Sequence, residues 1–435
     1  MAIIFFAAVV FVACSNDVED SMPVPAKEEE AVINDNPYAV TIDEAEKILE
    51  QFLANENEQV TKGGGVAHQR RIKSRYTTGG NKSVTRSANG EEVTTEEPVL
   101  HIFNFENNEG FAVMGGDRRG APMLALTESG ELTPGMTIDN PGMASALAHA
   151  EAVYRQMIVE AGCDTVVISN GTATVIMIKD SLVVNRHGAC QTLWHQSYPF
   201  NMYCAPNYSG MNNYSAGCVA IAVAQIMAFH KYPSSYGGYT FNWDNMIANT
   251  TANDVAALVM FLNLPANLNT QPGPNGSSSN ISLAPQTFQN FGYSNPGICT
   301  TYNTDIILNC VMLGQPVLIQ GSEPAQSFIL DSVDPTVSSR TTLQGHAWVG
   351  DGGRIITSTM LVYNHVTGEI LAVGPTTTKY VHCNFGWELG LCNGLYLSEH
   401  YSYLSTHKEL DFPYLIPREI FNYNTNLAMV VGISQ

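Results

Sequence analysis

Charge is scarce in this chain, and positive charge is scarcest. Only 14% of its 435 residues are Asp, Glu, Lys or Arg, against roughly 25% in an average globular chain. Lys and Arg total 20 against 40 Asp and Glu, for a formal net charge of −20. That balance argues against nucleic acid as a partner, because phosphate binding needs clustered cations. No C-x-x-C pair occurs among the nine cysteines, which removes the usual zinc and thioredoxin spacings. No internal repeat is visible. What is present is ordinary in kind: 45% hydrophobic residues, enough for sizeable cores in two or three domains at this length.

The apolar run Ala2–Ala13 is too short to span a bilayer as a helix and fits the h-region of an export signal. No lysine or arginine precedes it, and no A-x-A site follows. Phe11-Val12-Ala13-Cys14 resembles a bacterial lipobox, with Phe11 where leucine is usual. The expectation is an export segment over 1–14, membrane attachment through a lipidated Cys14, and an acidic linker over 15–37.

Thr41 and Glu44 then make a capping-box pattern, and Ile42, Ala45, Ile48, Leu49, Phe52 and Leu53 recur at helical spacing. Residues 61–97, rich in Gly, Ser, Thr, Lys and Arg, read as a loop. Val99–Phe105 and Phe111–Met114, joined by Asn107-Asn108-Glu109-Gly110, read as a hairpin. Residues 143–161 read as a helix ended by Gly162. Residues 38–165 are thus one small α+β domain, with 166–190 as a connection. Helical signal returns at 216–230 and 253–263, and 264–280 reads as a loop. After residue 310 short β-rich runs dominate, so the second half is also α+β, with helices first and an antiparallel sheet later. Residues 351–380 form an insert with no assigned place.

The stretch SAGCVAIAVAQIMAFHKYP, residues 215–233, carries the chemistry. From Cys218 to Phe229 the helix is apolar or small almost all round, apart from Gln225, so it lies inside a domain. Cys218 opens it. Two readings compete: a small core thiol, or a nucleophile whose thiolate the helix N-terminus favours. A nucleophile needs a base. His346, after Gly345 and at the head of the apolar strand Ala347-Trp348-Val349, is placed to open onto a cleft; His68, His149 and His407 read as surface or satisfied residues. Asn384, in HCNFGW, would accept from the other ring nitrogen or is a turn residue, with the aromatic Trp387 nearby. Gln196 would join the Cys218 backbone N–H as an oxyanion donor.

The order Gln196, Cys218, His346, Asn384 resembles papain-type cysteine peptidases. The blocks LWHQSYPFNMYCAP, GCVAIAVAQIMAFHKYP, GHAWVGDG and HCNFGW resemble, in order, the streptopain family of bacterial cysteine peptidases, and NNEGFAVMGGDRRGAPMLALTESG resembles its propeptide. The resemblance implies a papain-like domain of a helical and an antiparallel β lobe at 186–435, behind a propeptide at 38–185. It implies Cys218 as nucleophile, His346 as base and acid, Asn384 as orienting residue, Gln196 in the oxyanion hole, and Gly345 and Trp387 beside the substrate. It also implies an exported zymogen that needs no metal or cofactor, with peptide or protein substrates and its own propeptide as inhibitor. Phe385 departs from the family's tryptophan beside the asparagine, and 186–195 is less typical. Three other readings stand beside it. They are acyl transfer of the transglutaminase type, a binding lipoprotein with a degenerate fold, and a zinc site built from His382, Cys383 and Cys392. Cys383 and Cys392 are near enough in sequence for a disulfide, or are free buried thiols.

Overall fold

Helix α1 (Ile42–Lys62) starts where the Thr41/Glu44 pair predicts. The Glu44 carboxylate accepts from the Thr41 N–H at 3.0 Å, and Thr41 Oγ1 accepts from the Glu44 N–H at 3.3 Å, so two orphan donors of the first turn are satisfied. The computed structural model describes residues 38–62, 69–80, 82–86, 92–96, 99–163, 173–186, 188–207, 210, 212–274, 276–322, 327–333, 345–364, 370–402, 405–406 and 427–435. The export segment, Cys14 and the acidic linker lie outside them, as do His68 and His407.

After α1 come β1 (Ile72–Thr78), β2 (Lys82–Arg86), β3 (Glu92–Glu96), β4 (Leu100–Phe105), β5 (Phe111–Gly115), β6 (Met123–Thr127) and helix α2 (Pro141–Cys163). The hairpin β4–β5 turns through Asn107 and Asn108, both in the left-handed region that asparagine tolerates. The loop expected at 61–97 is not what forms. It holds three strands, and β1 pairs with β4 in the main sheet. These strands are polar and largely without an apolar alternation, which is why their sequence reads as loop.

Strand β7 (Ala173–Arg186) leads to helix α3 (Cys218–His230). There follow β8 (Ser235–Tyr236), β9 (Tyr239–Thr240), α4 (Trp243–Ile247), α5 (Ala252–Leu262), α6 (Ala284–Asn290), β10 (Asn295–Thr301), α7 (Thr304–Met312), β11 (Val317–Ser322) and α8 (Phe328–Val333). The chain closes with β12 (Gly345–Asn364), β13 (Ile370–Asn384), β14 (Gly394–Ser402), β15 (Ser405–Thr406) and β16 (Ala428–Ser434). The insert at 351–380 is therefore the body of the long β12–β13 hairpin, and the connection at 166–190 contains β7, paired antiparallel along β12.

The main sheet runs β1-β4-β5-β6-β14-β13-β12-β11-β16-β10, with β7 on β12 and β15 on β13. It passes from the N-terminal region into the C-terminal one through β6 and β14, where Leu126 faces Leu395 and Ala125 faces Tyr396. All of Tyr38–Gln435 is one compact unit, α+β with helices on a large antiparallel sheet. Two apolar cores flank it. One joins α1, α2 and β4–β6 to Trp348, Phe385, Tyr396 and Leu397; the other surrounds α3, whose residues Val219–Ala228 are all buried. Side chains alternate along β12: Ala347 and Val349 belong to the α3 core, whereas Trp348 belongs to the core shared with α2. Among the described residues no helix is long and apolar enough to cross a membrane.

Candidate active site

Gly217 turns the chain into α3 at φ 89°, a left-handed value that suits glycine, and so sets Cys218 on the helix's first turn. Ala216 N–H donates to the Gln196 carbonyl at 2.8 Å, which brings the Gln196 segment to the same helix end. The partly buried Cys218 thiol receives backbone N–H groups from Ala347, Val219 and Cys218 itself. Ala347 follows His346 directly, so α3 and β12 bring these two sequence-predicted residues to one place. Burial is nonetheless the larger effect on the thiol and pushes its pKa up. The helix N-terminus does not keep the sulfur ionised here.

His346 is not open to a cleft. It is buried, stacked parallel to Trp348 at 6.4 Å between ring centroids and edge-on to Trp387 at 5.4 Å. The first turn of α2 covers it: a Cβ at Gly142 would lie 2.6 Å from His346 Cδ2 and 2.6 Å from Phe385 Cδ1. Burial lowers the imidazole pKa to about 4, with the Phe385 carbonyl acting the other way. The pair is therefore a neutral thiol and a neutral imidazole.

The Asn384 side chain does not meet His346. Its Oδ1 accepts from Gln225 Nε2 at 2.9 Å and Gly386 N–H at 3.2 Å, and its Nδ2 donates to the carbonyls of Cys190 and Thr192 at 3.2 and 3.3 Å. His346 Nε2–H donates instead to the Phe385 carbonyl at 2.8 Å. Of the two residues expected beside the substrate, Trp387 touches the imidazole and Gly345 is exposed at the start of β12. Missed by sequence reasoning were Gly142, Gln225 and the Phe385 carbonyl. Gln225 alone left a signal, as the one polar side chain inside an apolar helix.

A second titratable cluster lies on the same sheet. His382 Nδ1–H donates to Asp351 at 2.6 Å and Nε2–H donates to Glu128 at 3.2 Å. Burial opposes the charge, but Asp351 and then Glu128 outweigh it and raise the imidazole to about 10. Both ring nitrogens are taken by carboxylates, and no metal-ligating cluster occurs among the described residues. Cys383 and Cys392 are free buried thiols, not a disulfide.

Residues 194–396 match the peptidase C10 family, and residues 37–152 match the Spi protease inhibitor family. Residues 194–396 thus form a peptidase C10 segment of the chain. That segment is a cysteine-type peptidase domain, preceded by a propeptide of the inhibitor type. A thiol protease/hemagglutinin, PrtT, of Porphyromonas gingivalis is 26% identical over 170 residues, which are 36% of this chain. The match spans only 18% of that relative's length. A solved fragment of Prevotella intermedia prointerpain A is 21% identical, with 82% of this chain and 99% of the other covered and a TM-score of 0.47. Active interpain A from the same organism is 22% identical, covering 58% and 97%, with a TM-score of 0.39.

Proposed function

We propose that the protein is an exported cysteine endopeptidase made as a zymogen, with the propeptide at 38–185 and the peptidase domain at 186–435. Cys218 Sγ attacks the carbonyl carbon of a peptide bond. The Cys218 backbone N–H and Gln196 hold the oxyanion, His346 passes the thiol proton to the leaving amine, and water then releases the acyl group with His346 as base. The carrying observation is the approach of α3 and β12, which sets the Cys218 sulfur against the backbone next to His346. The contact of Gly142 with His346 supports latency: the propeptide seals the imidazole away from water and substrate. The apolar segment ahead of Cys14 supports export, with attachment through a lipidated Cys14.

Purified chain lacking residues 1–14, kept under reducing conditions beside its Cys218→Ala variant, tests this. Wild type is expected to shorten to the C-terminal domain and then to hydrolyse peptides, and the variant to do neither, followed by gel and intact mass. Full proteolysis by Cys218→Ala would sink the assignment. If neither chain shortens, both are trimmed near residues 179–190 with an added protease and assayed again.

A further inference from the structure

Gln225 is fully buried two helical turns after Cys218, and the reaction above does not use it. Its Nε2–H donates to Asn384 Oδ1 at 2.9 Å, while its own Oε1 has no hydrogen-bond partner. A buried acceptor left unpaired is costly, so the benefit of glutamine at this position lies on its donor side.

That donor completes the Asn384 amide. The direction of this amide is fixed by backbone groups: its NH2 faces two carbonyls, Cys190 and Thr192, and its oxygen faces the Gly386 N–H. A flip would set donors against a donor and acceptor against acceptors. With Gln225 added, Asn384 Oδ1 holds two hydrogen bonds and has no lone pair left for an imidazole. The next peptide group takes that place. The Phe385 carbonyl accepts from His346 Nε2–H at 2.8 Å, and the Phe385 N–H is itself held by Asn393 Oδ1 at 2.9 Å. The proton on Nε2 leaves Nδ1 as the basic nitrogen. No charged side chain contributes to the shifted pKa of His346; burial and the Phe385 carbonyl are its causes.

We propose that Gln225 is a positioning residue for His346: it ties Asn384, itself bonded to the Cys190 and Thr192 carbonyls, to α3, and so fixes the Phe385 carbonyl as the acceptor that orients the imidazole. Asn384 then acts through where it holds the backbone and not as the acceptor itself. This rests on the assignment of Cys218 and His346 as the reacting pair.

The experiment uses the full chain carrying Gln225→Met, Asn384→Ala, both together, or Cys218→Ala, each matured by the same added protease, which is then inhibited. Methionine keeps the length, removes the donor and also removes the unpaired acceptor, so folding is expected to hold. The readouts are kcat and KM across pH, with thermal melting beside them. Gln225→Met is expected to lower kcat about tenfold, with KM within about twofold. Its alkaline limb moves to lower pH, because a fixed carbonyl acceptor favours the imidazolium. Asn384→Ala is expected to do the same, and the double variant to be no worse than the poorer single, as one chain of contacts requires. Wild-type kcat and pH profile in Gln225→Met overturn the proposal, as does a loss that adds to that of Asn384→Ala or one seen only as a lower melting temperature. If Gln225→Met yields no soluble chain, Gln225→Leu decides by the same readouts. Turnover that survives Cys218→Ala, or its complete absence in wild type, instead removes the reacting pair, and this inference goes with it.

Discussion

Cys218 and His346 hold no charge between them while the propeptide is in place. The thiol is pushed above its ordinary 9, and the imidazole is lowered to about 4. Between those values neither group ionises, because burial penalises each charged form and no ion pair compensates. A thiolate–imidazolium pair needs the imidazole freed from the cover that α2 lays over it at Gly142. The consequence is a measurable difference in reactivity at one atom. In the unshortened chain the reaction of Cys218 with iodoacetamide should rise about tenfold per pH unit and keep rising beyond pH 9, since only the thiolate reacts. After the propeptide is removed, the same rate should level off near neutral pH. Mass spectrometry of the Cys218 peptide, from the unshortened chain and from the shortened chain freed of its N-terminal fragment, reads both curves. A plateau near neutrality in the unshortened band would mean that the ion pair already exists under the propeptide.

Between elements, His382 is a buried polar tie. It links β13 to Asp351 on β12 and to Glu128 just beyond β6, so one side chain clips the propeptide to the peptidase domain. Asp351 also accepts from the Cys190 N–H at 2.7 Å, which ties in the chain leading to α3. Removing the Asp351 charge leaves a buried cation without its main partner. Asp351→Asn should therefore cost about 3 kcal/mol of stability at pH 7. The sign of the pH dependence follows from the raised pKa: the stabilisation is fully present below about 6.5 and is lost as pH rises through about 10. Denaturant curves of wild type and Asp351→Asn should thus converge above pH 10, and a gap that stays constant would rule this tie out. Such a cluster was not legible in the sequence, because its members sit on β12, on β13 and just beyond β6, apart along the chain, and each looks ordinary alone. Helices α1, α2, α3 and α5 were legible, since each shows its apolar pattern or its cap, and the short α4, α6, α7 and α8 were not. The hairpin β4–β5, whose residues alternate with turn signals on a local scale, was legible too. Strands β1 to β3 were not, because they are polar and leave no period of their own, and neither was β7, whose mix of apolar and polar residues keeps no strict alternation. Within the proposed site, residue type and order singled out Cys218, His346 and Gln196. The acceptor for His346 was not, because a backbone carbonyl has no letter in the sequence.

At the scale of the whole molecule, the propeptide is built into the peptidase domain and not merely laid on it. β6 pairs with β14 in one continuous sheet, and the apolar side chains of α2 share a core with Trp348, Phe385, Tyr396 and Leu397. Cutting one peptide bond in the connection removes none of these contacts. It only frees the two fragments to separate, and separation would expose that apolar surface and leave β14 as an unpaired edge. The hydrogen bonds across β6–β14 and the His382 clip add to the same hold. Cleavage and activation should therefore be two events. After a single cut near residues 179–190 the two fragments should elute together from a sizing column at neutral pH, with His346 still covered and peptide hydrolysis still low. Activity should rise only later, in step with loss of the N-terminal fragment through further digestion, and a mild denaturant should shorten the lag. Fragments that elute apart at once, with full activity at the moment of the first cut, would mean that the connection itself, and not the shared core and sheet, keeps the enzyme latent.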